Sequence, residues 1–341
     1  MIASEKCSSN TMEKSSLIFL SKIRLHDQAE LTWYAGAVIQ QLHVKHANGG
    51  LHKLETYWTS VNLAAIMGRK SNCCGLSWFV NDGIGIGCAV FTYLLIAYAE
   101  FVVVFVMLLP EVVTSAAIGV FHAIAFTLLA GLALVAHSRA MCSDPGTIPL
   151  GNCTTENLKK LQLKEGEVVL RCTRCECIKL DRAHHCSTCQ RCIRKMDHHC
   201  PWINNCVGED NQKFFVLFTM YIFLISIYAL VLTIRQILIC TENEWHDCTF
   251  LPVASAILLM IFLVFEGLLF GIFTLVMFCS QVSSIVKDET GIEHLKKERV
   301  IKNNSVYENL QDVFGGYFSI SWFSPFTSAP LRRANFTFHD V

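Results

Sequence analysis

The sequence predicts an all-α polytopic membrane protein, with four transmembrane helices and a cytosolic Cys-rich, two-zinc domain between helices 2 and 3. Three observations lead there. Of the 341 residues, 52% are hydrophobic and only 16% are charged, whereas soluble domains carry about 25% charged residues. Four long runs are almost free of charge. Eight of the 17 cysteines fall between Cys172 and Cys206, interspersed with histidines, which suggests metal sites in a reducing compartment and not a disulfide scaffold. A formal net charge of zero argues against a general nucleic-acid binder.

Spanning a bilayer as a helix takes about 20 mostly apolar residues. The predicted spans are residues 84–109, ending at Pro110, then 112–137, 214–239 and 251–281. The last is long enough to tilt or to project beyond the bilayer. Two acids lie inside spans, Glu100 and Glu266, and intramembrane ionisable groups are functional candidates by default. An interhelical hydrogen bond from a neutral glutamate is the plainer expectation. Arg235, near a span end, is expected to snorkel to the interface.

Basic residues orient the chain. Loops 110–111 and 241–250 contain no Lys or Arg, and residues 138–213 contain twelve. The expected layout is therefore a cytosolic extension over 1–77, partly disordered; helices 1 and 2 over 78–137; the zinc domain over 138–213; helices 3 and 4 over 214–281; and a cytosolic C-terminal region over 282–341. Cys240 and Cys248 bracket the acidic loop TENEWHD. They pair if that loop faces an oxidising lumen, and otherwise are two thiols at helix ends. Residues 1–70 hold no span and no signal peptide. Cys73 and Cys74 are juxtamembrane thiols, either acylated or ordinary. The terminal FHDV has the form of a PDZ ligand, or is simply a tail.

The Cys-rich loop contains a repeat. Cys172 and Cys175 form a CxxC; His185 follows after nine residues and Cys192 after six more. Shifted by fourteen, Cys186, Cys189, His199 and Cys206 repeat that spacing. Each set is Cys3His, a common composition for a closed structural zinc site. In extended backbone, neighbours such as His185 and Cys186 point to opposite sides and can serve different ions. With few large apolar residues in the loop, two zinc ions would supply much of its folding free energy.

The stretch MDHHCPW stands apart. His199 belongs to the second set. Cys200 lies where a third repeat would begin, but its CxxC partner position holds Ile203. Like Cys177 it belongs to neither set, but Cys177 has no acid–histidine neighbour. Asp197 and His198 precede Cys200. An imidazole can take the thiol proton and a carboxylate can fix the imidazole tautomer. The third span begins only a few residues later, so a substrate with a soluble head and a greasy tail, such as acyl-CoA, suits the site. Its charged head would meet Lys179, Arg182, Arg191, Arg194 or Lys195.

The stretch CTRCECIKLDRAHHCSTCQRCIRKMDHHCPWINNCVGEDNQKFF resembles the signature of the DHHC protein S-acyltransferases. DPG (144–146), ETGIE (289–293) and NLQDVFG (309–315) resemble that family's accessory motifs. YAEFVV, NQKFFVLFTMYI, FEGLLF and DETGIEHLKK are similar to its Golgi-specific zinc-finger subgroup. The resemblance implies a palmitoyltransferase of the Golgi membrane. Cys200 would take a palmitoyl or similar long acyl group from acyl-CoA as a thioester, then pass it to cysteines of membrane or membrane-associated proteins. It implies His198 as general base, Asp197 as its orienting acid and two structural zinc ions. It also places Trp202 near the mouth of an acyl cavity among the four spans, Ile225 towards its closed end, Lys179, Arg182 and His184 near the CoA phosphates, and Asn309 near the active site. A homo-oligomer is compatible with it.

Two departures stand out. Leu180 replaces the proline of KPxR, which removes a fixed φ from that turn. Gly291 replaces the second Thr of TTxE. The rival readings are a membrane-tethered zinc scaffold, a metal-ion transporter and a client-binding pseudoenzyme. A scaffold needs no Asp-His pair beside a metal-free cysteine, the closed ligand spacing disfavours a transit path, and the intact Asp197–Cys200 stretch disfavours a dead enzyme.

Overall fold

The computed structural model describes residues 5–6, 78–114, 116–160, 169–246, 248–297 and 304–328. Cys73, Cys74 and the terminal FHDV lie outside them. The chain divides into two compact units, Met1–Arg69 with Leu150–Ile178 and Lys70–Pro149 with Lys179–Val341. In the smaller unit, β1 (Glu5–Lys6) pairs antiparallel with β2 (Leu170–Cys172), which pairs with β3 (Cys177–Ile178).

The larger unit holds four helices long and apolar enough to cross a membrane: Gly83–Val113, Ala116–Cys142, Gln212–Glu242 and Val253–Lys287. Their outward faces are apolar, with Phe121, Ile234, Phe265 and Val276 all more than half exposed, as expected where lipid is the solvent. The first span is α1 (Gly83–Glu100), a π-helical stretch Phe101–Leu108, and α2 (Leu109–Thr114). The sequence predicts an end at Pro110, but the helix runs through it. Proline lacks an N–H and clashes with the carbonyl four residues back. Wider π turns precede it: the Leu109 N–H donates to the Val104 carbonyl, five residues back.

The second span is α3 (Ala116–Cys142), and a short α4 (Thr155–Lys160) lies in the smaller unit. The third span is α5 (Gln212–Glu242) and the fourth α6 (Val253–Lys287). Small residues set the packing. Ala130, Ala133, Ala136 and Ala140 form the buried stripe of α3. A Cβ on Gly271 would sit 3.3 Å from the Ser226 Cβ, so α5 and α6 are already close.

The polar groups in the spans find partners unevenly. The Thr127 hydroxyl donates to Glu100 Oε1 across α1 and α3, the interhelical bond expected. Arg235 is not a lone snorkelling cation; its guanidinium makes a two-point bridge to Glu111. Cys240 and Cys248 form a disulfide.

Beyond the fourth span, α7 (Gly291–Lys296) and α8 (Val306–Phe314) each open with a capping box, Thr290 with Glu293 and Ser305 with Glu308. Trp322 then packs among Tyr307, Phe314 and Phe318. This segment is tied to the spans by Lys213, whose Nζ donates to the Ser321 carbonyl at 2.9 Å, and by Arg139, which donates to the Ser328 hydroxyl at 2.8 Å.

Candidate active site

The fourteen-residue repeat is a repeat of hairpins. β2 and β3 pair Cys172 with Cys177; β4 (His184–Cys186) and β5 (Arg191–Ile193) pair Cys186 with Arg191; β6 (His198–Cys200) and β7 (Asn205–Val207) pair Cys200 with Asn205. Each hairpin turns through a residue in the left-handed region four places after its first cysteine: Glu176 at φ 50°, Gln190 at 54° and Asn204 at 46°. The third turn thus keeps the backbone of a zinc knuckle while Ile203 replaces its second cysteine. Each histidine faces a cysteine across its hairpin, His185 opposite Cys192 and His199 opposite Cys206.

Two Cys3His clusters fit a zinc domain. One lies whole within the larger unit. His199 Nδ1 is 3.7 Å from Cys186 Sγ, 3.4 Å from Cys189 Sγ and 3.6 Å from Cys206 Sγ, and Cys189 and Cys206 sulfurs are 3.4 Å apart. A tetrahedral zinc with ordinary Zn–S and Zn–N bonds separates its ligands by roughly 3.5–3.8 Å, so the donor set fits the ion. Of the other ligand set, Cys172 ends β2 and Cys175 lies in the turn of the smaller unit's hairpin, where the Gly151 N–H donates to the Cys175 carbonyl at 2.9 Å. Its His185 and Cys192 belong to the larger unit, with Nδ1 and Sγ 3.9 Å apart.

Strand alternation divides the labour in β6. Side chains two apart share a face. His198 and Cys200 therefore point together, and His199 points oppositely, into its cluster. His198 Nδ1 donates to Asp197 Oδ2 at 2.6 Å, and the imidazole also meets the Cys200 side chain. The Asp197 carboxylate is held from two further directions. Gln281 Nε2 donates to Oδ2 at 2.8 Å, and the Gly291 N–H donates to Oδ1 at 2.6 Å. Burial raises the Asp197 pKa, but the hydrogen bond and charge of His198 outweigh it, followed by Gly291 and Gln281, so the carboxyl stays below its ordinary value. Burial lowers the His198 pKa; the Asp197 hydrogen bond and the Cys200 contact prevail, and it rises to about 9. Cys200 itself is 6% exposed.

The turn after Cys200 is locked to the spans. The Trp202 carbonyl can only accept, so His137 Nε2 donates to it at 2.9 Å, leaving Nδ1 to accept from the Tyr93 hydroxyl at 3.1 Å. The Asn204 amide donates to the Val80 carbonyl at 2.7 Å, and Asn205 donates to the carbonyls of Ala140 and Ser143 at 3.0 and 2.9 Å. The Asn211 amide donates to the Ala140 and Cys206 carbonyls at 3.1 and 2.8 Å.

Behind Cys200 lies a largely apolar cavity. Cys200 and Trp202 line it together with residues of the first, third and fourth spans, among them Ile96, Phe215, Ile225 and Phe270. The resemblance implies a cavity among all four spans; the second contributes no lining residue, because its alanine face is spent against α5. Trp202 contacts Phe91, Phe270 and Phe273.

The remaining sequence-predicted site residues are spread around this centre. Arg182 donates through Nε to Glu293 Oε1 at 2.6 Å and through Nη1 to Asp288 Oδ1 at 2.9 Å. Burial raises the Glu293 pKa and the Arg182 hydrogen bonds overcome it, so that carboxyl lies below its ordinary value. Lys296 Nζ lies 3.3 Å from His184 Nδ1. Half-buried Lys179 precedes the turn where Leu180 replaces proline, and that turn still closes through the Ala183 N–H to the Leu180 carbonyl at 3.1 Å. The Asn309 amide donates to the Val286 carbonyl at 3.3 Å; this bond goes to the end of α6 and not to the Asp-His-Cys set.

Sequence reasoning missed three contributors. Gln281 and His137 sit 84 and 65 residues from their partners Asp197 and Trp202, and nothing local announces them. Gly291 reads in sequence as a lost Thr. Its backbone N–H is the contact, and a Cβ there would come within 3.2 Å of Asp197 Oδ1.

The family model described as DHHC palmitoyltransferase matches residues 170–298. The chain is 54% identical over 262 residues to palmitoyltransferase ZDHHC3 of Homo sapiens, covering 76% of this chain and 87% of that one. It is 56% identical over 258 residues to ZDHHC3-A of Danio rerio, covering 75% and 81%, and 48% identical over 283 residues to ZDHHC7 of Mus musculus, covering 83% and 91%. At these identities, across most of both chains, the protein belongs to the DHHC palmitoyltransferase family and is a membrane-embedded enzyme of acyl transfer to protein.

Proposed function

We propose that Cys200 is the nucleophile of a two-step acyl transfer, with His198 as its base and Asp197 as the group that orients His198. The observation that carries this reading is that His198 lies between the Asp197 carboxylate and a cysteine at the wall of an apolar cavity. With Nδ1–H committed to Asp197, Nε2 takes the thiol proton. The Cys200 thiolate then attacks the thioester carbonyl of acyl-CoA, and the CoA thiolate leaves with the proton from His198. In the second step an acceptor cysteine gives its proton to His198 and attacks the Cys200 thioester, which releases Cys200. The chain lies in the cavity with Trp202 near its mouth and Ile225 along its wall. Lys179, Arg182 and His184 face the CoA phosphates, and Asn309 braces the end of α6 from the C-terminal region. Two zinc ions, held by Cys172, Cys175, His185 and Cys192 and by Cys186, Cys189, His199 and Cys206, stiffen the hairpins; their chemistry is structural.

In this reading residues 1–77, 138–213 and 282–341 are cytosolic, the membrane is that of the Golgi, and the partners are cytosol-facing proteins with acceptor cysteines. The compartment rests on the subgroup-like stretches. The Cys240–Cys248 disulfide supports a lumenal loop, since such bonds persist in oxidising compartments. The test is thioester labelling of the purified, zinc-loaded protein with a palmitoyl-CoA analogue. Label that neutral hydroxylamine strips and Cys200→Ser abolishes is the expected result. A blank wild type carrying two zinc ions per chain overturns the proposal.

A further inference from the structure

The cavity behind Cys200 is mostly apolar, and Glu266 is the one ionisable acid in its lining; Ser226 adds a hydroxyl on the facing helix. Thr92, Thr219 and Thr274 also line it, but their hydroxyls donate to carbonyls of their own helices, Cys88, Val216 and Phe270, at 3.0, 2.9 and 2.6 Å. Glu266 differs. Its Oε2 is buried and has no hydrogen-bond partner among the described residues, and its side chain lines the cavity. Its depth can be placed along α6. Gln281 touches Asp197, and Glu266 lies fifteen residues earlier on the same helix, about 22 Å at the rise of an α-helix. Glu266 therefore stands deeper along the cavity than Asp197, one helical turn beyond the Phe270 that Trp202 touches, beside Leu263 and Gly267.

A hydrocarbon end laid over an unpaired carboxyl leaves it unpaired, and a buried polar group without a partner is costly. A chain that stops short leaves room for a donor at the oxygen. We propose that Glu266 is a polar subsite of the acyl cavity and a determinant of acyl specificity. It disfavours a hydrocarbon chain long enough to cover it, and it accepts a chain of that length whose far end carries a hydroxyl. This rests on the reading of the cavity as the acyl site. It adds a chemical preference at one depth to the steric limit that the cavity walls impose.

The experiment loads Cys200 of the purified, zinc-loaded full chain with saturated acyl-CoAs of twelve to twenty carbons, each with and without a terminal hydroxyl. Wild type is compared with Glu266→Leu, close in volume but apolar, and with Glu266→Gln, which stays polar. Wild-type loading should fall at the chain length that reaches Glu266, and the terminal hydroxyl should restore it at that length. Glu266→Leu should raise loading of the unmodified chain there by roughly tenfold, the worth of one buried polar group left unpaired, and should lose the hydroxyl preference. Glu266→Gln should keep the wild-type profile. Identical profiles for wild type and Glu266→Leu overturn the inference. So does an equal shift in the Leu and Gln variants, which would make volume the cause. Should Glu266→Leu fail to fold, the hydroxyl comparison in wild type decides: no restoration at any length sinks the subsite. A wild type that forms no thioester with any donor instead refutes the proposed function of Cys200, a separate outcome.

Discussion

Replacing Asp197 by Asn keeps the shape of the site and reverses one hydrogen bond. The carboxylate accepts from the Gly291 N–H at Oδ1 and from His198 and Gln281 at Oδ2. Asn offers one acceptor oxygen and one NH2. With the oxygen kept on Gly291, the NH2 faces two donors. Gln281 resolves its conflict by turning its amide over, and Gln212 behind it, which donates to Gln281 at 3.2 Å, can turn likewise. His198 has no such escape. Its Nδ1 must become the acceptor, so the proton moves to Nε2, the atom that should receive the Cys200 proton. Loss of a correctly protonated base costs about 10²–10⁴ in rate, or about 3–5 kcal/mol of barrier. The assay is single-turnover formation of the hydroxylamine-sensitive thioester, with zinc content and melting temperature as controls. Loading within threefold of wild type at neutral pH, on a folded protein with full zinc, would refute the assigned role of Asp197.

Arg182→Ala should destabilise the protein by roughly 2–4 kcal/mol, read by thermal melting, because it strands the Glu293 carboxylate, whose side chain is 1% exposed; the 19% exposure of Arg182 keeps the loss below that of a fully buried pair. The same bridge has a pH signature. The Glu293 pKa is depressed in the fold, so its stabilisation is complete above the unfolded value of about 4.3 and is lost as pH falls through the lower folded value. Glu293→Gln should flatten that acid limb of the melting profile. Cys206→Ser should lower zinc content from two ions per chain to one, and with it thioester loading, as metal analysis and labelling will show. Ile225→Phe, adding bulk to the cavity wall, should move loading towards shorter acyl chains; an unchanged preference would remove Ile225 from the acyl path.

Much of the molecule is legible from one strand of text because its signals are local. A span is a run of apolar residues, and the existence of all four follows from composition along the chain. The zinc ligands are legible because a metal demands ligand types at a spacing set by a hairpin, and the spacing occurs twice. Cys200 is legible because the repeat leaves it over, as it does Cys177, and because Asp197 and His198 stand just before it. Pro110 misled because the penalty for proline is local while its relief, five-residue hydrogen bonding just before it, is a choice of the whole helix. Arg235 misled for a related reason. Its partner Glu111 is 124 residues away.

The sequence by itself determined the spans, the two ligand sets and the Asp-His-His-Cys order, because each depends on contacts or periods a few residues long. The tertiary structure decided what those residues face. Strand alternation in β6 turns His198 and Cys200 one way and His199 the other. The fourth span and the start of α7 bring Gln281 and Gly291 onto Asp197. The first, third and fourth spans enclose a cavity at Cys200 while the second spends its small-residue face on α5. Those partners lie tens of residues apart in sequence and meet only when helices pack. For that reason a lone acid in a greasy run, Glu266, reads in sequence as one more buried polar group, and only in the fold as part of the wall of the cavity that also holds Cys200.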